Sequence, residues 1–132
     1  MARPLVTSAD VTAWLKAKRT GFEVFDDFPT DMKNVRHGIY VNDPATSERV
    51  PYRLGIQDES HIYTCVDAMR ILVVTFQGDN KRDAAIDAVT GIVLDNELLD
   101  GYHERDYVME QEYLNRAEYR TYDFELKRIE TQ

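Results

Sequence analysis

The chain predicts an α+β domain: a mainly antiparallel β-sheet with two principal helices packed on one face. Three observations predict it. Apolar residues recur at helical spacing twice, once near the N-terminus and once after residue 80. The intervening and following segments alternate with a period of two, or run apolar on both faces, between turn residues. Runs of strands broken by few helices are the pattern of α+β rather than of alternating α/β. With 132 residues, 43% of them hydrophobic and 30% charged, the chain supports one core of ordinary globular composition. No internal repeat, low-complexity tract or linker divides it, so 1–132 reads as a single domain.

"TSADVTAWLKAKR" opens with a capping signal. Thr7 or Ser8 is placed to accept from first-turn N–H groups, and Asp10 suits the positive end of the helix dipole. Val11, Trp14 and Leu15 form one apolar stripe; Lys16, Lys18 and Arg19 follow, and Gly21 is the expected stop. "FEVFDDFPTDMKN" (Phe22 to Asn34) reads as a short extended piece and a loop. "HGIYVND" and "RVPYRLG" are strand candidates, with turn chemistry in "NDPATSE" between them. Pro51 lacks an N–H, which places the second of these strands at an edge or breaks it.

"AMRILVVTFQGDNKRDAAIDAVTGIV" joins a long strand, His61 to Gly78, to the second helix. The strand's second half is apolar on both faces, so it is central and covered on both sides there. Asn80 is the expected N-cap, with Asp83 at the third helical position. Trp14 and Leu15, with Ile86, Val89 and Val93, are expected on one face of the long strand. Gly91, costly inside a helix by about 1 kcal/mol, is expected to mark close packing on the sheet. The C-terminal segment reads as two strands with a turn near Asn115 to Glu118, and Tyr122, Phe124 and Leu126 share one face of the last.

The net charge of −8 argues against a surface that grips nucleic-acid phosphates. No apolar run approaches the roughly 20 residues of a membrane span, and "MARPLVTSADV" has no apolar core of a secretory signal. The single cysteine, Cys65, forms no internal disulfide, and a reducing cytosol is the expected compartment.

Catalytic signatures are weak. "GDNK" lacks the paired glycines and the Lys-Ser/Thr of a phosphate loop and reads as a helix entry. "DESHIY" and "YHERDY" set histidine beside carboxylates, so His61, His103 and Asp106 would form a site only if the fold joined them. Cys65 has no basic sequence neighbour to lower its pKa and reads as a buried thiol. No catalytic or metal-binding set is assigned, and no cofactor is expected. Tyr102, Tyr107, Tyr113, Tyr119 and Tyr122 crowd the C-terminal hairpin, where strand packing or an interface accounts for them.

The order of elements resembles the tail terminator (tail completion) proteins of tailed bacteriophages. The matching pieces are "ADVTAWLKAK", "FEVFDDFP" with "HGIYVND", "YTCVDAMRILVVTFQG", "KRDAAIDAVTGIVL", "YHERDYVMEQEY" and "YRTYDFELKRIE". The resemblance is one of pattern and length, carries no diagnostic motif, and leaves "NDPATSERVPYRLGIQDES" without a counterpart. It implies a non-enzymatic virion protein made in the host cytoplasm. Such proteins form a homo-oligomeric, hexameric ring on the head-proximal end of the tail tube, stop tube growth and present a surface to the head–tail connector. DNA passes through the lumen without specific binding, and no membrane is involved.

A ring needs two complementary patches per subunit. The Asn42–Glu59 segment and the hairpin residues Tyr102, Arg105, Tyr107, Glu110, Tyr113 and Arg116 are the candidates. Two alternatives stand beside this reading. One is a head–tail connector or neck protein. The other is a small α+β pocket enzyme of the cone-shaped kind, with His61, Asp67 and His103 as its polar set.

Overall fold

The computed structural model describes residues 3–29, 35–54, 57–76 and 78–131, and of residues 52–54 and 57–61 the backbone alone. The elements run α1 (Ser8–Ala17), β1 (Val24–Phe25), β2 (Gly38–Val41), β3 (Ala45–Leu54), β4 (Gln57–Phe76), α2 (Arg82–Thr90), a 3-10 turn (Gly91–Leu94), β5 (Tyr102–Leu114) and β6 (Ala117–Thr131). The sheet order is β1-β2-β4-β6-β5, with β3 also on β4. Among the described residues only β1 and β2 pair in parallel; every other pairing is antiparallel. The domain is α+β and dominated by its sheet.

The 20-residue β4 is the axis of the molecule. It pairs with β6 along one side, and with β3 and then β2 along the other. Its doubly apolar second half is covered on both faces, for two different reasons. Met69, Ile71 and Val73 lie in one core with Val11 and Leu15 of α1 and Ala85, Val89 and Ile92 at and beyond α2. On the opposite face Leu72 and Val74 join Tyr40 and Ala117 under Phe25, Phe28 and Tyr119. In β6, Tyr122, Phe124 and Leu126 are buried on the helix-bearing face, as their alternation predicts.

The helix boundaries refine the sequence reading. Thr7 and Asp10 form a full capping box, each side chain accepting the other's backbone N–H at 3.1 Å. The chain turns left-handed at Arg19, φ 50°, before Gly21 is reached. At α2 the expected Asn80 cap does not form. Asp79 Oδ1 accepts the Lys81 N–H at 2.9 Å, and Lys81 takes the N-cap place without a side-chain bond. Val89 is buried as expected, and Trp14 and Val93 pack at the core's margin. Ile86 is only half-buried; the buried stripe is Ala85, Ala88, Val89 and Ile92, where alanines let α2 sit close. Gly91 has no strand atom within 4 Å of where its Cβ would sit. It ends α2 and faces the Trp14 ring, which a Cβ there would meet at 3.9 Å.

The turn expected over "NDPATSE" contracts to Asn42–Pro44, because β3 begins at Ala45. Tertiary partners override the local turn chemistry. The Thr46 hydroxyl donates to Asp67 at 2.8 Å and the Ser47 hydroxyl to the Val66 carbonyl at 3.2 Å. The Asn42–Glu59 segment is therefore strand over most of its length. Pro51 sits in a strand paired on one side only, next to a register shift, as a residue without an N–H requires. Between β5 and β6, Asn115 and Arg116 have φ of 50° and 66°, the signs of a two-residue type I′ hairpin.

Candidate functional site

The hairpin candidates separate into two groups along β5. The first group is internal. A bulge at His103 breaks the alternation between Tyr102 and Glu104. It turns Tyr102, 3% exposed, onto the core face. There the phenol donates to Asp67 Oδ2 at 2.5 Å and accepts the Leu5 N–H at 2.9 Å. Burial, then the bond to Asp67, pushes the Tyr102 pKa well above the ordinary tyrosine value. Arg105 is a staple: its guanidinium donates to the carbonyls of Val93, Asp95, Leu99 and Tyr102 and to Asn96 Oδ1. Tyr107 packs on Tyr122 and Phe124 at ring distances of 5.6 and 5.5 Å. Tyr102 thus has no free surface for a neighbour, and Arg105 and Tyr107, both half-buried, have little.

The second group is exposed. Glu110 and Arg116 face solvent, and Tyr113 is 69% exposed. Val108, Met109 and Leu114 lie open beside them. Tyr113 and Arg116 border a hollow of about 560 Å³ with Thr75, Phe76, Gly78, Arg82 and Glu118. Glu118, 7% exposed, anchors its floor. It accepts from Arg82 at 3.0 and 3.1 Å, from Gln111 at 3.3 Å and from Arg120. Burial opposes its ionisation, but the bonds from Arg82 and Arg120 outweigh that and hold its pKa below the usual range.

A buried polar network lies at the other end of the hairpin; of its residues the sequence offers only Asp67, as a polar group of the pocket alternative, and Tyr102, as an interface residue. Arg128, 3% exposed, donates to Asp67, 0% exposed, from Nε at 2.8 Å and Nη2 at 3.3 Å. It also donates to Thr46 Oγ1 at 3.2 Å and Glu130 Oε2 at 3.1 Å. Glu130 in turn accepts from Arg49, which lies 3.6 Å over the Tyr63 ring. Bonds from Arg128, then Arg49, hold the Glu130 carboxyl below its ordinary pKa. A signal was present: Asp67 is in phase with Met69, Ile71 and Val73, and Arg128 with Phe124 and Leu126. Opposite charges on the core face of two strands that pair are a buried ion pair waiting for a register.

The network leaves little room for chemistry. Both Asp67 oxygens are occupied, and among the described residues no buried side-chain N or O lacks a partner. His103 is exposed at its bulge and Asp106 is exposed beyond it; the His61 side chain lies outside the described residues. Among the described residues no group of three or more His, Cys, Asp or Glu is placed to hold a metal ion. His37 stacks on Phe76 and meets Phe22 edge-on, with Asp79 Oδ2 at 3.5 Å. Burial pushes the Cys65 thiol up in pKa, against a smaller opposing effect of Arg128.

The helix-free face of the sheet is acidic. In β3, β5 and β6 it carries Glu48, Glu104, Asp106, Glu110, Glu112, Asp123 and Glu125; Arg70 of β4 and Lys127 of β6 are the cations among the described residues of this face. Both cations are paired, Arg70 with Asp123 at 2.6 Å and Lys127 with Glu104 at 3.5 Å. No helix among the described residues is long and apolar enough to cross a membrane. Comparison with protein-family models finds no match, and comparison with curated protein sequences finds none either.

Proposed function

We propose that this chain is a structural, non-enzymatic subunit of a phage tail or tail-like particle, a terminator that assembles as a ring on the head-proximal end of the tail tube. The observation that carries the reading is the division of its surface. The helix-free sheet face presents carboxylates with both its cations neutralised, while the end of the hairpin presents Tyr113 and Leu114. A ring with the acidic face turned inward repels DNA phosphates, so DNA slides through it unheld. Exposed aromatic and apolar side chains at the hairpin end supply anchors for a neighbouring subunit. The ring contact is heterologous, and Tyr113, Leu114 and Arg116 form one of its two patches. The tail tube protein and the head–tail connector are the remaining partners, and the resemblance in element order supports this assignment.

Electron microscopy of tail preparations made with and without the gene product tests the proposal. Tails of uniform length with the protein, and of uncontrolled length without it, are expected. Tails of normal length in its absence overturn the terminator assignment. Tails of normal length that fail to join heads point instead to a connector or neck protein.

A further inference from the structure

No strand among the described residues pairs with the outer edge of β5, and the polarity of that edge follows from the turn. A two-residue hairpin turn is flanked by a pair that exchanges both backbone bonds; here that pair is Leu114 and Ala117. Alternation from there turns the N–H and C=O groups of the odd-numbered residues away from β6. Asp106 Oδ1 already accepts the Tyr107 N–H at 2.8 Å, so that amide is blunted. Those of Met109, Gln111 and Tyr113 remain as an open ladder.

The side chains on this edge choose what adds to it. On the helix-free face an incoming strand meets Asp106, Val108, Glu110 and Glu112; on the other face it meets Met109 and Tyr113. A second β5 in antiparallel register about Val108 would set Asp106 against Glu110 and Glu104 against Glu112, and like charges directly opposite are destabilising. Among the described side chains the other free edges match no better. β3 carries Glu48 on the same face, and its Arg49 is held by Glu130 on the other; β1 is bordered by Glu23, Asp26 and Asp27.

We infer that the β5 edge is a strand-addition site for an extended segment of a different protein, one that alternates Lys or Arg with apolar residues. Its cations fall against Asp106, Glu110 and Glu112, and its apolar residues against Met109. Main-chain bonds supply affinity and the alternation supplies specificity. The like charges of that register disfavour joining of copies edge to edge, which leaves ring contacts to side chains at the hairpin end. The site stands whether or not the terminator reading holds, because it uses the edge alone.

The test titrates the full chain with three capped eight-residue peptides: alternating Lys-Val, alternating Glu-Val, and a block of four Lys followed by four Val. Amide exchange is read by NMR. At a free concentration about tenfold above its Kd, the Lys-Val peptide should slow exchange at Met109, Gln111 and Tyr113 by about tenfold. The Glu-Val and block peptides should not. Met109→Pro, which removes an outward N–H and no ladder bond, should abolish the protection. Glu110→Lys with Glu112→Lys should transfer the preference to the Glu-Val peptide, and this holds the proposal to account if the proline variant fails to fold. Equal protection by the block peptide, no protection by the alternating one, or protection that grows with the concentration of the chain alone each overturns it.

Discussion

Arg128→Met probes the buried network most directly. The substitution keeps most of the side-chain volume and removes the guanidinium. Asp67, with no exposure, then loses the donors at 2.8 and 3.3 Å and keeps Tyr102 at 2.5 Å and Thr46 at 2.8 Å. Two neutral hydroxyls do not compensate a buried carboxylate. Breaking one side of a buried ion pair costs about 3–5 kcal/mol, at least about a fifth of a total stability of about 5–15 kcal/mol. In urea, with a slope of about 1–3 kcal/mol/M, the midpoint should fall by on the order of 2 M. Replacing the whole pair by apolar residues, Asp67→Leu with Arg128→Met, should cost clearly less than the sum of the single changes, because no orphaned charge remains. A single-variant cost under about 1 kcal/mol, the range of exposed pairs, would show that water reaches the pair and would refute the reasoning.

Other expectations follow from the same contacts. Val89→Asp puts an unpaired charge at a position with no exposure and should cost several kcal/mol, about 4 or more; a soluble variant with unchanged melting temperature contradicts the placement of α2. Tyr107→Ser should lose about 2–4 kcal/mol of folding stability through its contacts with Tyr122 and Phe124, whereas Tyr113→Ser should stay within about 0.5 kcal/mol; equal losses on denaturation would contradict the division of β5. Glu118 has a lowered pKa, so its stabilisation is present above the unfolded carboxyl value of about 4.3 and is lost as pH falls through the folded value. Glu118→Gln should flatten the acid limb of melting temperature against pH, and an unchanged slope would remove Glu118 from that role.

The first helix, the covered second half of β4 and the alternating face of β6 were legible because each is a local pattern that burial simply obeys. Two β-bulges hid the rest. The bulge in β3 between Thr46 and Glu48 and the bulge in β5 at His103 each shift the phase of a strand by one residue. Strict alternation therefore assigns Tyr102 to the wrong face. The polar run after Asn42 read as a loop because the partner that makes Thr46 useful in a strand, Asp67, is 21 residues away. Arg105 reads as an interface cation for the same reason: the carbonyls it caps, those of Val93, Asp95 and Leu99, lie in and after the 3-10 turn, 6 to 12 residues away.

The division of β5 bears on how assembly and folding can be uncoupled. From Tyr102 to Tyr107 the strand is bound inward, through a phenol on Asp67, a guanidinium over a turn, and a ring on two aromatic neighbours. From Val108 to Leu114 every residue is exposed, and the strand is held by its ladder to β6. Changes in the inner half are felt as lost stability before any contact with another molecule is tested. Changes in the outer half leave folding stability little altered, because little of the core depends on those side chains. The aromatic count of the hairpin therefore misleads as a guide to its interface. Tyrosines that anchor the fold and a tyrosine free to anchor a partner lie on one strand, and the same inner face holds both, separated only by where the core ends.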